Sequence, residues 1–221
     1  MSAVVYEPIA KKVLSENDRV AARLREQFRE QGVLTLNLIS SPGAGKTALL
    51  ERTLELWPPG GRVGVLTGDI QTDNDARRLA AFGYPVKQIC SGGACHLDAR
   101  MVEQALEGWD LSDFDVLFLE NVGNLVCPTS YDLGEEAKVV VLSVTEGDDK
   151  PLKYPGIFHK AELMLLNKID LLPYVPFRVD AAEANARSVH ADIDIIQTSA
   201  LTGAGLPAWF DWLGARRRTQ S

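Results

Sequence analysis

Val33-Leu-Thr-Leu-Asn-Leu-Ile39, then Ser40-Ser-Pro-Gly-Ala-Gly-Lys-Thr47, then Ala48-Leu-Leu-Glu51 read as a strand, a glycine-rich loop and the start of a helix. That context is what a phosphate-binding loop requires. Gly43, Ala44 and Gly45 let main-chain N–H groups converge on a β-phosphate, and the helix start through Ala48 adds its partial positive charge. Lys46 is placed to reach the β- and γ-phosphates, and Thr47 to ligate Mg²⁺. The pattern G-x-x-x-x-G-K-[ST] is broken only at its first position, where Ser40 stands for Gly.

Outward from this loop, short apolar runs alternate with helical stretches. The runs are 33–39, 63–67, 86–89, 114–119, 139–144, 163–166 and 193–197, and the helical stretches are 46–56, 73–82, 97–106, 179–190 and 206–216. Alternation of this kind predicts β-α units, hence an α/β fold of the P-loop NTPase type: a mostly parallel sheet flanked by helices in a single domain. Upstream, Ser15 and Asp18 stand in capping-box spacing, and Val20, Leu24 and Phe28 recur every four residues, predicting a helix over 15–29. The expected organisation is an N-terminal helical segment, 1–30, and a phosphate-loop domain, 31–221. Residues 127–136 and 146–160 are expected to be mobile functional loops.

Asn167-Lys-Ile-Asp170 directly follows the apolar run Leu163-Met-Leu-Leu166. A carboxylate there can accept from guanine N1–H and its 2-amino group, whereas adenine offers an acceptor at N1 and no such amino group. Asn167, Lys168 and Asp170 are therefore expected to select guanine, so that the nucleotide is GTP or GDP. Ser199, Ala200 and Leu201, at the end of the last run, are placed to add a backbone N–H to the guanine carbonyl. Ligands of open α/β sheets bind at the carboxyl ends of strands, which favours Glu120 over Asp115 as an Mg²⁺-shell or water-orienting group and gives Asp69 the same claim. Lys46, Asp69 and Glu120 are the expected catalytic residues, and Thr47, Asp69 and Glu120 the expected Mg²⁺ set. Asp73 and Asp75 read better as turn or N-cap aspartates.

The 221 residues are 46% hydrophobic and 24% charged, an ordinary globular composition that argues against long disorder. A net charge of -7 repels polyanions, so no nucleic acid is expected as partner. The basic cluster Arg216 to Arg218 reads as complementing a helix end. No apolar run approaches the roughly 20 residues that span a bilayer, and Met1-Ser-Ala-Val-Val-Tyr lacks the pattern of an export signal, so a cytoplasmic location without membrane contact is expected.

Three cysteines without an export signal read as thiols or metal ligands rather than a disulfide framework. Cys95, His96 and Cys127 are of the type that Zn²⁺ and Ni²⁺ accept, but spacing alone leaves buried apolar-like cysteines and a surface histidine as the other reading. Adjacent Cys95 and His96 point apart on a strand, so they share an ion only at a loop or helix start, for which Gly92-Gly93 provides the freedom. Cys90 reads as a core residue at a strand end, and His159 and His190 as solvated or structurally satisfied.

The blocks Thr67-Gly-Asp-Ile-Gln-Thr-Asp-Asn-Asp-Ala-Arg77, Ser91-Gly-Gly-Ala-Cys-His-Leu-Asp-Ala99, Glu120-Asn-Val-Gly-Asn-Leu-Val-Cys127-Pro, Ser143-Val-Thr-Glu-Gly-Asp-Asp-Lys-Pro-Leu-Lys-Tyr-Pro155 and Asn167-Lys-Ile-Asp-Leu-Leu-Pro173 complete a pattern with the phosphate loop. Together they resemble the hydrogenase nickel-incorporation GTPases of the HypB family, from about residue 8 to 213. The resemblance implies a slow GTPase and chaperone that delivers Ni²⁺ to [NiFe]-hydrogenase. It further implies a nucleotide-dependent homodimer, Ni²⁺ or Zn²⁺ bound by Cys95, His96 and Cys127 between protomers, and as partners a nickel-maturation protein and the hydrogenase large subunit. The chain carries neither the Cys-rich N-terminal motif nor the His-rich stretch of some relatives, so a separate nickel store is not expected. Sister metallochaperones for urease and mutase-guarding GTPases share the phosphate loop and guanine motif but not the Cys-His-Leu-Asp-Ala block, and a small-molecule kinase would need an acceptor pocket and an Arg-rich lid that the sequence does not offer. Leu171, Leu172 and Val175, after the guanine motif, are expected at the dimer contact.

Overall fold

Continuous apolar runs need cover on both faces, and the five inner strands of the seven found among the described residues have it, the two edge strands being only partly buried. The structure, a computed structural model, describes residues 9–69 and 74–220. The strands are β1 (Leu34–Ser40), β2 (Val63–Asp69), β3 (Val86–Cys90), β4 (Val116–Glu120), β5 (Ala137–Ser143), β6 (Leu163–Asn167) and β7 (Asp194–Gln197). They form one parallel sheet in the order β3-β2-β4-β1-β5-β6-β7. The helices are α1 (Ile9–Glu30), α2 (Lys46–Glu55), α3 (Asn74–Ala80), α4 (Ala99–Leu106), α5 (Lys150–Lys153), α6 (Pro155–Lys160), α7 (Val179–Val189) and α8 (Leu206–Gln220). This is the α/β architecture that the alternating pattern predicts; the export-signal reading of residues 1–6 and the reading of Asp73 lie outside the described residues.

Central β1 is buried at every position, and its side chains divide between two layers. Leu34, Leu36 and Leu38 pack with Leu49 and Leu50 of α2 and Trp209 of α8. Each such side chain contributes roughly 1.5–3 kcal/mol on leaving water. On α1, Val20, Leu24 and Phe28 are all buried and pack into one cluster with Leu97, Val102 and Leu117, so this helix shares the core of the sheet. Asn17 fixes its placement: its amide donates to Asp132 O at 2.8 Å and accepts from Ala99 N at 2.9 Å, joining α1 to the start of α4 and to the loop before β5. Asp98 caps α4, accepting from Met101 N at 2.9 Å.

Segment 146–160 departs from the expected open loop. Pro151, Ile157 and Phe158 are buried, and their burial organises the chain into α5 and α6 despite two prolines and an Asp/Gly-rich start. Segment 127–136 opens with a 3₁₀ turn, and Asp132 is tied to Arg25, whose Nη2 reaches both carboxylate oxygens at 2.6 and 2.8 Å. Among the described residues, no helix is long and apolar enough to cross a membrane.

Candidate nucleotide and metal sites

β1 is the sheet's switch point: the chain leaves it through α2 for β2 on one side, while β4, paired with β1, leads to β5 on the other. Ligands of open α/β sheets bind in the crevice at such a point. Gly43 and Gly45 both take positive φ there, 76° and 97°. A Cβ at Gly45 would lie 2.6 Å from Asn167 Nδ2, so the close approach as well as the conformation demands glycine. Lys46 is buried, with its Nζ 2.9 Å from Ser40 Oγ, so the serine that replaces the first glycine of the motif supplies an oxygen to the lysine. Burial pushes the Lys46 ammonium down, against the pull of the Glu120 charge.

Lys46, Thr47, Asp69 and Glu120, expected together from the sequence, line one cleft of about 390 Å³ with Asp75 and Arg78. Thr47 donates to Glu120 Oε1 at 2.6 Å and Thr67 to Oε2 at 2.9 Å. Burial pushes the Glu120 carboxyl up, opposed by Lys46 and by both hydroxyls. These hard oxygen donors beside a buried ammonium fit an Mg²⁺-bound polyphosphate. Asp75 sits in the first turn of α3 and pairs with Arg78 at 3.2 Å. Asp115 precedes β4 and is held by Arg62 at 2.7 Å and Arg217 at 3.0 Å, at the opposite end of the strand from Glu120.

The guanine motif is bolted to the phosphate loop. Asn167 is buried and donates to Ala44 O at 3.0 Å, while Lys168 donates to Gly43 O at 2.7 Å from a left-handed backbone, φ 64°. Asp170 accepts from Ser199 Oγ. Within the Ser199-Ala-Leu turn, Ser199 N–H donates to Ala204 O at 2.9 Å and Ala200 N–H to Asn167 Oδ1 at 3.3 Å. Leu201 is 80% exposed, as is Tyr174 at 82%. Leu171, Leu172 and Val175 are half-buried against the core between them.

The third group forms beside the same crevice. Among the described residues, Cys95, His96 and Cys127 bring ligand atoms within 4.8 Å of one another. The two sulfurs are 2.6 Å apart and both are free thiols, and Cys95 Sγ lies 3.7 Å from His96 Nδ1. Cys95 and His96 sit on an irregular turn between β3 and α4, entered through Gly92 and Gly93 at φ 61° and 94°, the geometry that the glycine pair allows. The hydrogen bond that the Cys95 thiol donates to Cys127, together with burial, pushes the Cys95 thiol up, and burial pushes the His96 imidazolium down. Soft thiolates with an imidazole suit Ni²⁺ or Zn²⁺. Cys90 is exposed at the end of β3, where its strand-end position held but the expected core environment did not, and it stands outside this group. His159 faces Val189 O at 3.4 Å and His190 faces Ala161 O at 2.9 Å, both structurally satisfied.

Sequence reasoning passed over two residues that shape this group. Tyr131 stacks its ring on His96, with centroids 3.8 Å apart and planes at 29°. Asn124 joins the two ligand segments, donating to Cys95 O at 3.3 Å and accepting from Val126 N at 2.8 Å. Only Asn124 had a signal, as an Asx-turn residue in a Gly-Asn pair.

Residues 34–197 match the family model described as the CobW/HypB/UreG nucleotide-binding domain. The chain is 52% identical over 212 residues to the hydrogenase maturation factor HypB of Azotobacter vinelandii, covering 96% of this chain and 70% of the relative. The chain belongs to the HypB family. Two solved HypB structures superpose closely. That of Helicobacter pylori in complex with nickel has a TM-score of 0.87 at 38% identity, covering 92% of this chain and 96% of that one. That of Archaeoglobus fulgidus has a TM-score of 0.86 at 40% identity, covering 92% and 99%. Membership of the HypB family agrees with the fold and with the resemblance read from the sequence.

Proposed function

We propose that this chain is a GTP-hydrolysing metallochaperone that delivers nickel during [NiFe]-hydrogenase maturation. One observation carries the reading: Glu120, in the phosphate cleft, and Cys127, in the thiol-imidazole group, lie on one short stretch, seven positions apart. A change of nucleotide is thereby able to reach the cargo. In this reading Asp170 and the Ser199-Ala-Leu turn select guanine, and Gly43 to Ala48 hold the phosphates. Thr47, Asp69 and Glu120 hold Mg²⁺, which supplies charge neutralisation at the polyphosphate when bound. Lys46 keeps a buried positive charge at the β- and γ-phosphates.

Ni²⁺, as cargo, or Zn²⁺ takes Cys95, His96 and Cys127. Three ligands leave a metal short of a full set, and a second copy of the chain supplies the remainder if the GTP form is a homodimer. Expected partners are a nickel-maturation protein and the hydrogenase large subunit, in the cytoplasm.

The deciding experiment titrates Ni²⁺ and Zn²⁺ into GDP-bound and GTP-analogue-bound protein, alongside Cys127→Ala, with metal content and oligomeric state measured. Because coupling is reciprocal, affinities should differ between nucleotide states by a factor of about 5 to 150. Equal affinities in the two states, with Cys127→Ala binding as the wild type does, would overturn the reading.

A further inference from the structure

Asn37 sits in the middle of β1 with no exposed surface, where an aliphatic residue would serve a central strand better. Its amide is one link in a buried chain of hydrogen bonds. Asn121 Oδ1 accepts from Leu97 N at 3.1 Å and Val122 N at 3.0 Å, and Asn121 Nδ2 donates to Asn37 Oδ1 at 3.2 Å. Asn37 Nδ2 donates to Glu135 Oε1 at 3.2 Å, and Glu135 Oε2 accepts from Leu133 N at 2.6 Å. Glu135 is ion-paired with Lys138, whose Nζ also donates to Tyr131 O at 3.3 Å.

Both ends fix the sense of this chain. Backbone N–H groups only donate and a carboxylate only accepts, so each amide has a single orientation that pairs every group. The positions of the ends matter as much. Asn121 follows Glu120, Leu97 follows His96, and Lys138 reaches the loop whose Tyr131 stacks on that histidine.

We propose that Asn121 is the positioning residue that passes occupancy of the phosphate cleft from Glu120 to the Cys95-His96 segment, its amide held in one orientation by Asn37 and the Glu135–Lys138 pair. The proposal rests on the reading that nucleotide state gates nickel. Residues 120–123 line the phosphate cleft, and a shift there moves an amide that no water can re-partner. To keep its bond, Leu97 N–H must follow, and His96 with it.

The test measures Ni²⁺ affinity through the nickel–thiolate absorption, with GDP and with a nonhydrolysable GTP analogue plus Mg²⁺, in wild type, Asn121→Ser and Glu135→Gln. Glu135→Gln preserves volume but brings an amide donor against Leu133 N–H on one side, or against both Asn37 Nδ2 and the Lys138 ammonium on the other. Flipping the asparagine amides relieves only Asn37 and moves that clash to Leu97 N–H. From a wild-type ratio of about 5 to 150 between nucleotide states, Asn121→Ser should fall to within about twofold of one and Glu135→Gln to less than about half of wild type. Cooperative melting with an unchanged denaturant slope serves as the folding control. Folded variants that keep the wild-type ratio overturn the assignment, as does equal loss of nickel binding in both states, which would leave the network a structural role only. A wild-type ratio of one overturns the gating reading itself and this assignment with it. If Asn121→Ser does not fold, the isosteric Glu135→Gln decides.

Discussion

Asp170 already accepts from Ser199 Oγ, so its carboxylate stands oriented before any base arrives. Replacing it by Asn turns one acceptor into a donor facing guanine N1–H, and charge-assisted hydrogen bonds contribute about 1.5–3 kcal/mol each. Asp170→Asn should therefore lower the preference for GTP over ATP by at least about tenfold in competition binding; unchanged discrimination would remove the assignment. Glu120 yields a pH prediction. Burial raises its carboxyl in the folded protein, so above the ordinary value of 4.5 the folded form holds a proton that the unfolded form has released, and ligand-free stability falls as pH rises through that window. Mg²⁺ needs the ionised form, so Mg²⁺-nucleotide affinity should rise over the same window, and melting scans with and without Mg²⁺ and a GTP analogue compare the two slopes. At this scale the motif residues were legible because their chemistry is local, from Gly43 to Thr47 and from Asn167 to Asp170. Tyr131, Asn121 and Asn37 were not, since each matters through a partner far away in sequence.

Helix α1 shows what the next scale adds. Its four-residue apolar spacing marked it in the sequence, but its seat depends on Asn17, whose two bonds reach residues 82 and 115 positions away. Asn17→Ala leaves Ala99 N–H and Asp132 O without that amide, at a cost of about 1–3 kcal/mol, read as a lower urea midpoint at unchanged slope. An unaltered midpoint would mean that water or a neighbour replaces the amide. The strands were legible for a simple reason: a parallel sheet covered on both faces writes itself as unbroken apolar runs. α5 and α6 were not, because Pro151, Gly156 and the preceding Asp148 and Asp149 read as loop while the burial of Ile157 and Phe158 decides otherwise.

Across the whole molecule, three of the six exposed large apolar side chains among the described residues stand beside the two sites: Tyr174 and Leu201 near the guanine motif, and Val126, 61% exposed, next to Cys127. Large apolar groups at ligand-binding edges favour association. Light scattering at micromolar concentration should give a dimer mass with GTP analogue and Mg²⁺ and a smaller one with GDP; a monomer under both conditions contradicts the homodimer.

The strand order also dictates when the thiols can meet. β4, which carries the chain toward Cys127, is inserted between β2 and β1, and Cys95 leaves from β3 beyond β2, so the two sulfurs come together only after β2 has paired with both β3 and β4, the latter a non-sequential pairing. Pairings of such sequence separation form late and slowly. If this group holds the nickel, as proposed, the bound ion certifies that β2, β3 and β4 have assembled: a chain without those pairings offers its thiols singly and lets the ion go. In a urea titration of the nickel-loaded protein, metal release and loss of the sheet should follow one curve, and release well before the sheet melts would show that the thiols part company on their own.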